Sequence, residues 1–387
     1  MTGKIRCIGF AFLAALLSLT SCRDLALDPV FYTLSQEIPL GDNRGFPDES
    51  AVFRMVKITV AAVDYYLVAA NTMYIRGVGI SDTWTVVAPP TGLSNALCNT
   101  LEVLGTQIYA GFYNSSDATG YGLYTASLAA LPLAWTAVGD TDVQNVEITL
   151  LKNVGGQLFV ATNTSTNANT LYYGNGAAFT AVGWTTPPPV DIAFIDVAQA
   201  TSGGSYWILV GAYLYQSAAL PGGFAVYTSA DPLRPISPLS GLPPASGGLF
   251  DDSTALYVSA GNGFLYSTVD GGANWTRNAT AFLDDNEDFT TRFTSFVAPA
   301  VDNSPLGTVY VGTQGQGYYR IPGGDVAGGT ALTREPSYNI TALYTGALNC
   351  LFYDSAASPQ RLFLCTNGSG LWRGEYAGGS TWTWKQE

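Results

Sequence analysis

A short β-strand pattern recurs seven times along the chain, and this repetition limits the fold more than any other feature. Each copy runs from bulky β-forming residues into a small residue. The copies are Leu67-Val68-Ala69, Tyr109-Ala110-Gly111, Phe159-Val160-Ala161, Leu209-Val210-Gly211, Tyr257-Val258-Ser259, Tyr310-Val311-Gly312 and Phe363-Leu364-Cys365. They begin about 42 to 53 residues apart, which is the length of a four-stranded sheet with its turns. We therefore predict a repeated array of β-sheets, with the small residues where strands crowd near a central channel.

Aromatic residues mark two further strands in most copies. A third strand carries Tyr74, Tyr124, Tyr173, Tyr215, Tyr266, Tyr319 and Trp372. A fourth strand carries Trp84, Trp135, Phe179, Trp275 and Trp382, whereas the fourth and sixth copies lack an obvious equivalent. The pattern predicts an all-β fold, a β-propeller of about seven four-stranded blades over residues 51–387. Several small β-sandwiches in a row are the alternative, but even spacing without a clear linker favours one closed ring.

The most regular copy, Leu256–Trp275, ends in a distinctive turn. Thr268, Asp270, Gly272 and Trp275 fit the pattern Ser/Thr-x-Asp-x-Gly-x-x-Trp. This resembles the Asp-box, or BNR repeat, of sialidase-like β-propellers. The resemblance implies a structural role: the aspartate accepts hydrogen bonds from turn amides, the glycine permits the turn, and the tryptophan packs between sheets.

The first 22 residues have the layout of a targeting signal. Two basic residues, Lys4 and Arg6, precede an apolar run, Ile8 to Leu19, that is too short to span a membrane. The run ends in Leu19-Thr20-Ser21-Cys22, which resembles a bacterial lipobox. An ordinary secretory signal with an incidental cysteine is the alternative.

The lipobox resemblance implies an address and a domain layout. Residues 1–21 form a lipoprotein signal peptide that is removed, Cys22 is acylated, and residues 22–50 form a lipidated tether. The body then lies in an oxidising aqueous compartment of the bacterial cell envelope, on the periplasmic or surface face of the outer membrane or another membrane. The lipid anchor is the membrane contact that we expect.

Composition excludes several classes of function. The net charge is −13 and only 12% of residues are charged, so the chain lacks the basic surface that nucleic acid requires. There is no histidine, which excludes a Ser-His-Asp triad and any histidine metal ligand. In the densest acidic segment, Asp284–Asp288, the side chains of Asp284, Asn286 and Asp288 have the alternate spacing of a calcium loop, but Phe289 and Ser295 replace the required glycine and glutamate. We expect a solvated loop there, with no metal and no cofactor.

The turns between second and third strands are the predicted binding face. In propellers these loops open at the mouth of the channel, where amides can bind peptide or sugar hydroxyls. The candidate residues are Asn114, Asp117, Asn163, Asn167, Asn262, Gln314, Gln316 and Asn367. Equally, asparagine and glycine are what tight β-turns need.

These observations favour a non-enzymatic binding lipoprotein, expected to be a monomer, with an envelope protein or glycan as partner. Asp-box rings of the photosystem-assembly and sortilin types are similar binding platforms. The alternative is a glycoside hydrolase of sialidase-like fold acting through two carboxylates. Tyr319-Arg320-Ile321-Pro322 matches the letters of the sialidase Arg-Ile-Pro motif but follows the Asp-box, whereas that motif normally precedes it. A purely structural envelope component is a third possibility.

Two cysteines are predicted to form a disulfide. Leu348–Tyr353 and Arg361–Thr366 read as a hairpin that places Cys350 opposite Cys365. Opposite residues have Cα atoms about 4.5–5.5 Å apart, which a disulfide can bridge. Two buried thiols acting as small hydrophobic residues are the alternative. Cys98 has no evident partner, and we expect a free, buried thiol.

Overall fold

The computed structural model describes residues 45–387 apart from internal gaps. The gaps are 48–49, 80–82, 117–118, 164–168, 189–193, 202–203, 212, 228–247, 252–254, 260–263, 278–292, 298–307, 323–325, 327–332, 336–346 and 379–380. The described residues form seven antiparallel sheets arranged as a ring, which confirms the predicted seven-bladed β-propeller. Within the described part of the chain, no helix has the length and apolarity needed to cross a membrane.

Each of the first three blades consists of four consecutive strands. Blade 1 contains β1 (Val52–Val60), β2 (Val63–Ala70), β3 (Met73–Gly77) and β4 (Thr85–Val87). Blade 2 contains β5 (Ala96–Leu104), β6 (Gln107–Asn114), β7 (Gly120–Ser127) and β8 (Thr136–Ala137), followed by a 3-10 turn, Thr141–Val143. Blade 3 contains β9 (Glu147–Val154), β10 (Gln157–Asn163), β11 (Asn169–Gly174) and β12 (Phe179–Ala181).

The remaining blades follow the same order, with one addition in blade 4. Blade 4 contains β13 (Gly183–Trp184), β14 (Phe194–Gln199), β15 (Tyr206–Val210), β16 (Tyr213–Ser217) and β17 (Gly223–Val226). Blade 5 contains β18 (Gly248–Asp251), β19 (Leu256–Ser259), β20 (Leu265–Thr268) and β21 (Thr276–Arg277). Blade 6 contains β22 (Phe293–Val297), β23 (Thr308–Thr313), β24 (Tyr318–Pro322) and β25 (Thr333–Glu335). Blade 7 contains β26 (Leu348–Asp354), β27 (Arg361–Thr366), β28 (Leu371–Gly378) and β29 (Thr381–Gln386).

The first of the four antiparallel strands of every blade lies innermost; in blade 4 this strand is β14, because β13 pairs at the outer edge. We call these the first strands. Successive first strands contact one another around the ring, from β1 through β5, β9, β14, β18, β22 and β26 back to β1. The seven bulky-to-small segments all lie on the second strands, one position out from the channel. Their small residues provide room for the neighbouring blade: a Cβ placed on Gly111 would lie 2.8 Å from the Ile148 Cβ and 2.9 Å from Thr100 Cγ2. Crowding therefore occurs between blades rather than at the channel itself.

In blade 4, a tryptophan from the segment that precedes the blade takes the place of the missing outer tryptophan. The two-residue strand β13 precedes the blade and pairs in parallel with its outermost strand, β17. Trp184 of this strand packs against Phe194, Tyr215 and Phe224, with ring centroids 5.0–5.9 Å apart. The irregular fourth copy is thus completed from the preceding connection.

Each blade is built from its own stretch of chain, so the ring is closed by contacts between blades 7 and 1. Buried side chains make several of these contacts. The carboxylate of Glu387 is fully buried and accepts hydrogen bonds from Arg76 (2.5 Å) and Trp84 Nε1 (2.9 Å), with Arg373 Nε at 3.1 Å. Arg76 also stacks over the Trp84 ring at 5.1 Å.

A second buried group crosses the same seam. Asp354, at 3% exposure, accepts hydrogen bonds from Tyr66 Oη (2.6 Å) and Lys57 Nζ (3.1 Å). Arg361 of blade 7 donates to the same Tyr66 oxygen at 3.2 Å. The seam is therefore held by charged and hydrogen-bonded groups as well as by apolar packing.

The segment before β1 packs on the ring, although it falls within the predicted tether, 22–50. Phe46 is buried against Tyr74 and Trp84, with ring centroids 4.9 and 5.5 Å away. Ser50 accepts a hydrogen bond from the Gly370 amide at 3.1 Å. Residues 1–44, including Cys22, lie outside the described part of the chain.

Candidate functional site

A cavity of about 410 Å³ occupies the channel and is lined by first-strand residues from six of the blades. Its lining runs from residues near the start of the first strands, such as Arg54 opposite Ala69, to mid-strand residues, such as Lys152 opposite Phe159. Because the second strands end at the loops that lead to the third strands, the cavity lies toward that face of the ring. We call this face the mouth face. The volume of the cavity is in the range of small-ligand sites.

A ring of β-bulges shapes the wall of this cavity. Six first strands carry one extra residue near their start, so that two residues face one on the second strand. The bulges fall at Phe53, Asn99, Thr149, Ile195, Thr294-Ser295 and Asn349. A bulge bends the strand and redirects its side chains, which is why bulges are common at barrel rims and next to functional sites.

Asparagine amides hold two of these bulges against the next blade. Asn99 Nδ2 donates to the Ile148 carbonyl at 2.9 Å, linking blades 2 and 3. Asn349 Nδ2 donates to the Val52 carbonyl at the same distance, linking blades 7 and 1. The two residues occupy equivalent bulge positions, so the cavity wall is braced by repeated inter-blade hydrogen bonds.

Charged residues in the channel are paired between adjacent first strands. Arg54 of blade 1 lies 3.2 Å from Glu102 of blade 2, and Lys152 of blade 3 lies 2.5 Å from Asp196 of blade 4. The Arg54 and Lys152 side chains remain 35% and 23% exposed. The cavity therefore presents both signs of charge, in contrast to the strongly acidic chain as a whole.

These four charged residues were not among the sequence candidates. The first strands have no repeated sequence signature, and their bulges interrupt the period-two alternation that identifies a half-buried strand. The signal that could have found them is position, since each charged residue lies 7 or 13 residues before the start of a bulky-to-small segment.

Two mouth loops in blades 6 and 7 have the same construction. Thr313 Oγ1 accepts from the Gln316 amide and donates to the Gly317 carbonyl, each at 2.8 Å. Thr366 Oγ1 makes the same pair of bonds to Ser369 and Gly370, at 2.8 and 2.7 Å. A buried threonine thus closes each loop from within.

The predicted mouth residues of these two loops differ in their exposure to solvent. Gln314 and Asn367 are exposed, and their backbones bridge to Ala347 and Ala51 at the entries of the next blades. Gln316 is buried, and its amide oxygen accepts from Tyr319 Oη at 2.9 Å. Gln316 therefore braces the loop, while Gln314 and Asn367 face outward.

The other predicted mouth residues show turn chemistry where they are described. Asn114 Oδ1 accepts from the Ser116 amide at 2.9 Å, and Asn163 Nδ2 donates to Glu147 at 3.3 Å. Both side chains are partly exposed. Asp117, Asn167 and Asn262 lie outside the described residues.

The turn from Thr268 to Trp275 is organised around Asp270. Asp270 Oδ1 accepts from the Asn274 amide at 2.9 Å and from Thr268 Oγ1 at 2.8 Å. Bonds from the backbone and side chain of Asn274 lower the pKa of Asp270 below its ordinary value. Trp275 is buried against Trp207 of blade 4, with ring centroids 6.1 Å apart. Within the described fold, these contacts are internal to the protein.

The residues considered for hydrolysis are not gathered at the cavity. Arg320 lies on the third strand β24, away from the first strands that line the channel. The cavity lining includes one carboxylate, Asp196, which is paired with Lys152. The acidic segment Asp284–Asp288 lies outside the described residues, and the described ones contain no cluster of three acidic or cysteine side chains suited to a metal ion.

The register of blade 7 places Cys350 directly opposite Cys365, as the hairpin pattern predicts. The structure holds both as buried thiols. The disulfide itself stays a prediction. Cys98 is also a buried thiol, and its Sγ lies 3.4 Å from the Thr100 carbonyl.

Comparison with known proteins supports the fold. No family model and no curated protein sequence matches this chain. The extracellular domain of the putative one-component system BT4673 from B. thetaiotaomicron is similar at 15% identity and a TM-score of 0.59. The match covers 86% of this chain and 39% of that one, so the chain spans about two fifths of its length.

Two further similar structures are of YCF48. YCF48 bound to a D1 peptide matches at 11% identity and a TM-score of 0.55, over 87% of this chain and 95% of that one. YCF48 from Cyanidioschyzon merolae matches at 11% identity and a TM-score of 0.51, over 84% and 95% of the two chains. At these identities the likeness establishes the propeller fold.

Proposed function

We propose that this protein is an envelope lipoprotein whose propeller binds a segment of a protein or glycan partner at the mouth face, a binding role that requires no catalysis. The observation that carries the proposal is the channel cavity of about 410 Å³, with its braced wall of paired charges and neutral polar groups. Such a wall offers hydrogen-bond donors and acceptors in fixed positions, which favours recognition by reducing the ordering cost on binding. The YCF48 propeller with its bound D1 peptide is an example of peptide binding by a similar ring.

The route of the chain onto the ring suggests where the partner lies. Ser50 and Ala51 are bonded to Gly370 and Asn367, so the segment before β1 reaches the ring at the mouth face. Cys22 precedes residue 45 by 23 positions, and a random coil of that many residues has a root-mean-square span of about 26 Å. An acylated Cys22 would therefore keep the mouth face close to the membrane. The expected partner is the exposed segment of a membrane protein, or a glycan held near the surface.

The anchor is tested by metabolic labelling with a fatty-acid analogue. We expect label on the wild-type protein and none on Cys22→Ala, because the cysteine thiol is the acyl acceptor in the lipobox scheme. Equal labelling of the two proteins would contradict the lipoprotein assignment.

Partner binding is tested by affinity capture from the native membrane with matched charge insertions. The double variant Gln314→Arg and Asn367→Arg adds two bulky charges beside the mouth, and we expect retention of the wild-type partner to fall about tenfold. Val269→Arg is the control, since Val269 is 66% exposed on a turn between third and fourth strands, at the opposite face. Undiminished retention by the double variant would place binding elsewhere.

A further inference from the structure

The two thiols of blade 7 have unequal surroundings. Cys350 lies on the first strand β26 and lines the channel cavity beside Arg54. Cys365 lies on the second strand β27 and is fully buried in an apolar cluster that includes Val68, Phe363 and Leu371. Cys350, which is 4% exposed, belongs to the same cluster but also borders the cavity. One thiol therefore borders a space that small molecules can enter, and the other lies directly behind it.

Three groups stabilise the thiolate form of Cys350. These are the Cys365 thiol beside it, the Arg54 guanidinium and the Met55 amide. Together these contacts lower the pKa of Cys350 against the opposing effect of burial. Burial and the neighbouring sulfur raise the pKa of Cys365. A low-pKa thiol in front of a protonated one is the arrangement required of an attacking and a resolving cysteine.

We propose that Cys350 and Cys365 form a thiol–disulfide exchange centre that opens onto the channel, with small disulfides as substrates. The Cys350 thiolate attacks one sulfur of a disulfide RSSR, so that a Cys350–SR bond forms and RS⁻ leaves. Cys365 then loses its proton to solvent and attacks Cys350 Sγ, which releases the second RS⁻ and forms the Cys350–Cys365 bond. The protein is oxidised by two electrons and RSSR is reduced to two thiolates. Reduction by a dithiol runs the same steps in reverse.

The register permits this cycle without a change of fold. Cys350 and Cys365 are already direct partners on adjacent antiparallel strands, within the Cα separation of about 4.5–5.5 Å that a disulfide can span. Cys98 provides an internal contrast: burial raises its pKa, and the causes of that shift include no cation. The proposed centre reacts reversibly, with Cys350 as the attacking thiol, and so differs from a permanent disulfide that only stabilises the hairpin.

The first test needs no change at the exchange centre. In the full-length chain with Cys7→Ser and Cys22→Ser, the three remaining cysteines all lie in the described fold. Limiting iodoacetamide at pH 7 on the reduced protein should label Cys350 at least tenfold faster than Cys98 or Cys365, measured by peptide mass spectrometry. Labelling of Cys350 no faster than Cys98 would overturn the proposal.

The second test traps the intermediate with oxidised glutathione. Adding Cys365→Ser should leave a stable glutathione mixed disulfide on Cys350. Adding Cys350→Ser should slow modification of Cys365 at least tenfold, and the protein with both cysteines should form the internal bond reversibly. Thermal denaturation confirms that the compared variants are folded. Trapping on Cys365 but not on Cys350 would reverse the assigned roles and overturn the proposal.

The third test addresses Arg54 with both cysteines intact. Arg54→Gln should reduce the iodoacetamide rate at Cys350 about fivefold to tenfold at pH 7, because removing a nearby cation lowers the thiolate fraction. Lys152→Gln is the matched control, since Lys152 is also an ion-paired cation that lines the cavity, but it lies on β9, whereas Arg54 lies on β1, next to the strand β26 that carries Cys350. An equal loss of rate in both variants, or none in Arg54→Gln, would overturn the role given to Arg54.

Discussion

At the scale of single residues, the turn around Asp270 shows how one exposed carboxylate organises a loop. Its oxygens accept bonds from Thr268 and Asn274, while Gly272 donates to Thr268 Oγ1 at 2.9 Å. This arrangement follows from local sequence alone, since all the participants lie within seven positions. The spacing of polar side chain, glycine and tryptophan was enough to predict it.

Asp270→Ala should destabilise the protein by about 0.5–1.5 kcal/mol, the net worth of a hydrogen bond near the surface. Because hydrogen bonds lower the pKa of Asp270, its contribution is complete above the unfolded-state value of about 4 and is lost as pH falls through the lower folded-state value. Urea denaturation from pH 7 to pH 2 should therefore show a difference from wild type that narrows below pH 4. Val269→Ala, at the neighbouring exposed position, should change stability by less than about 0.5 kcal/mol. A pH-independent loss would show that the carboxylate is not the cause.

At the scale of strands, the second strands could be read from sequence, but among the first strands only that of blade 7, read as Leu348–Tyr353, could. Bulky residues ending in a small one recur because the second strand pairs with the first and third strands of its own blade while its side chains pack against the neighbouring blades. The bulged first strands carry Arg54, Asn99, Lys152 and Asp196, whose roles depend on where each bulge redirects the side chain. A bulge has no consistent residue type here, so the channel wall was missed.

Gly111→Ala should destabilise the protein by about 1–3 kcal/mol through overpacking between blades 2 and 3. The added Cβ would lie 2.8 Å from the Ile148 Cβ, and Ile148 cannot move without shifting β9. Gly139→Ala is the matched control, because a Cβ at Gly139 has no heavy atom within 4 Å. Chemical denaturation measures both, and equal stability of the two variants would contradict inter-blade crowding as the reason for the small residue.

At the scale of the whole molecule, closure depends on groups at opposite ends of the described chain. Among the described residues no strand is shared between blades 7 and 1, so their seam relies on side chains and on the backbone bonds of Ser50 and Ala51 to Gly370 and Asn367. Arg76 and Glu387 are 311 residues apart, and both side chains are completely buried. A buried ion pair costs desolvation on both sides, which makes the loss of one partner severe.

Glu387→Gln should destabilise the protein by about 3–5 kcal/mol, because it leaves Arg76 and Arg373 buried without their shared carboxylate. Lys385→Gln lies two residues earlier on the same strand, with an exposed side chain, and should change stability by less than about 0.5 kcal/mol. Thermal and urea denaturation of both variants and the wild type measure these changes in stability. If Glu387→Gln melts like wild type, the seam is held by apolar packing rather than by this group.

The sequence by itself determined the blades, their number, the position of each second and third strand, the turn at Asp270 and the alignment of Cys350 with Cys365. These features follow from short-range periodicity and from pairing within a hairpin. Only the tertiary structure decided the contents of the channel, the borrowed strand at Trp184, the buried place of Gln316 and the seam around Glu387. Those features join residues from different blades, and their geometry depends on bulge register and on closing the ring, neither of which a local pattern encodes.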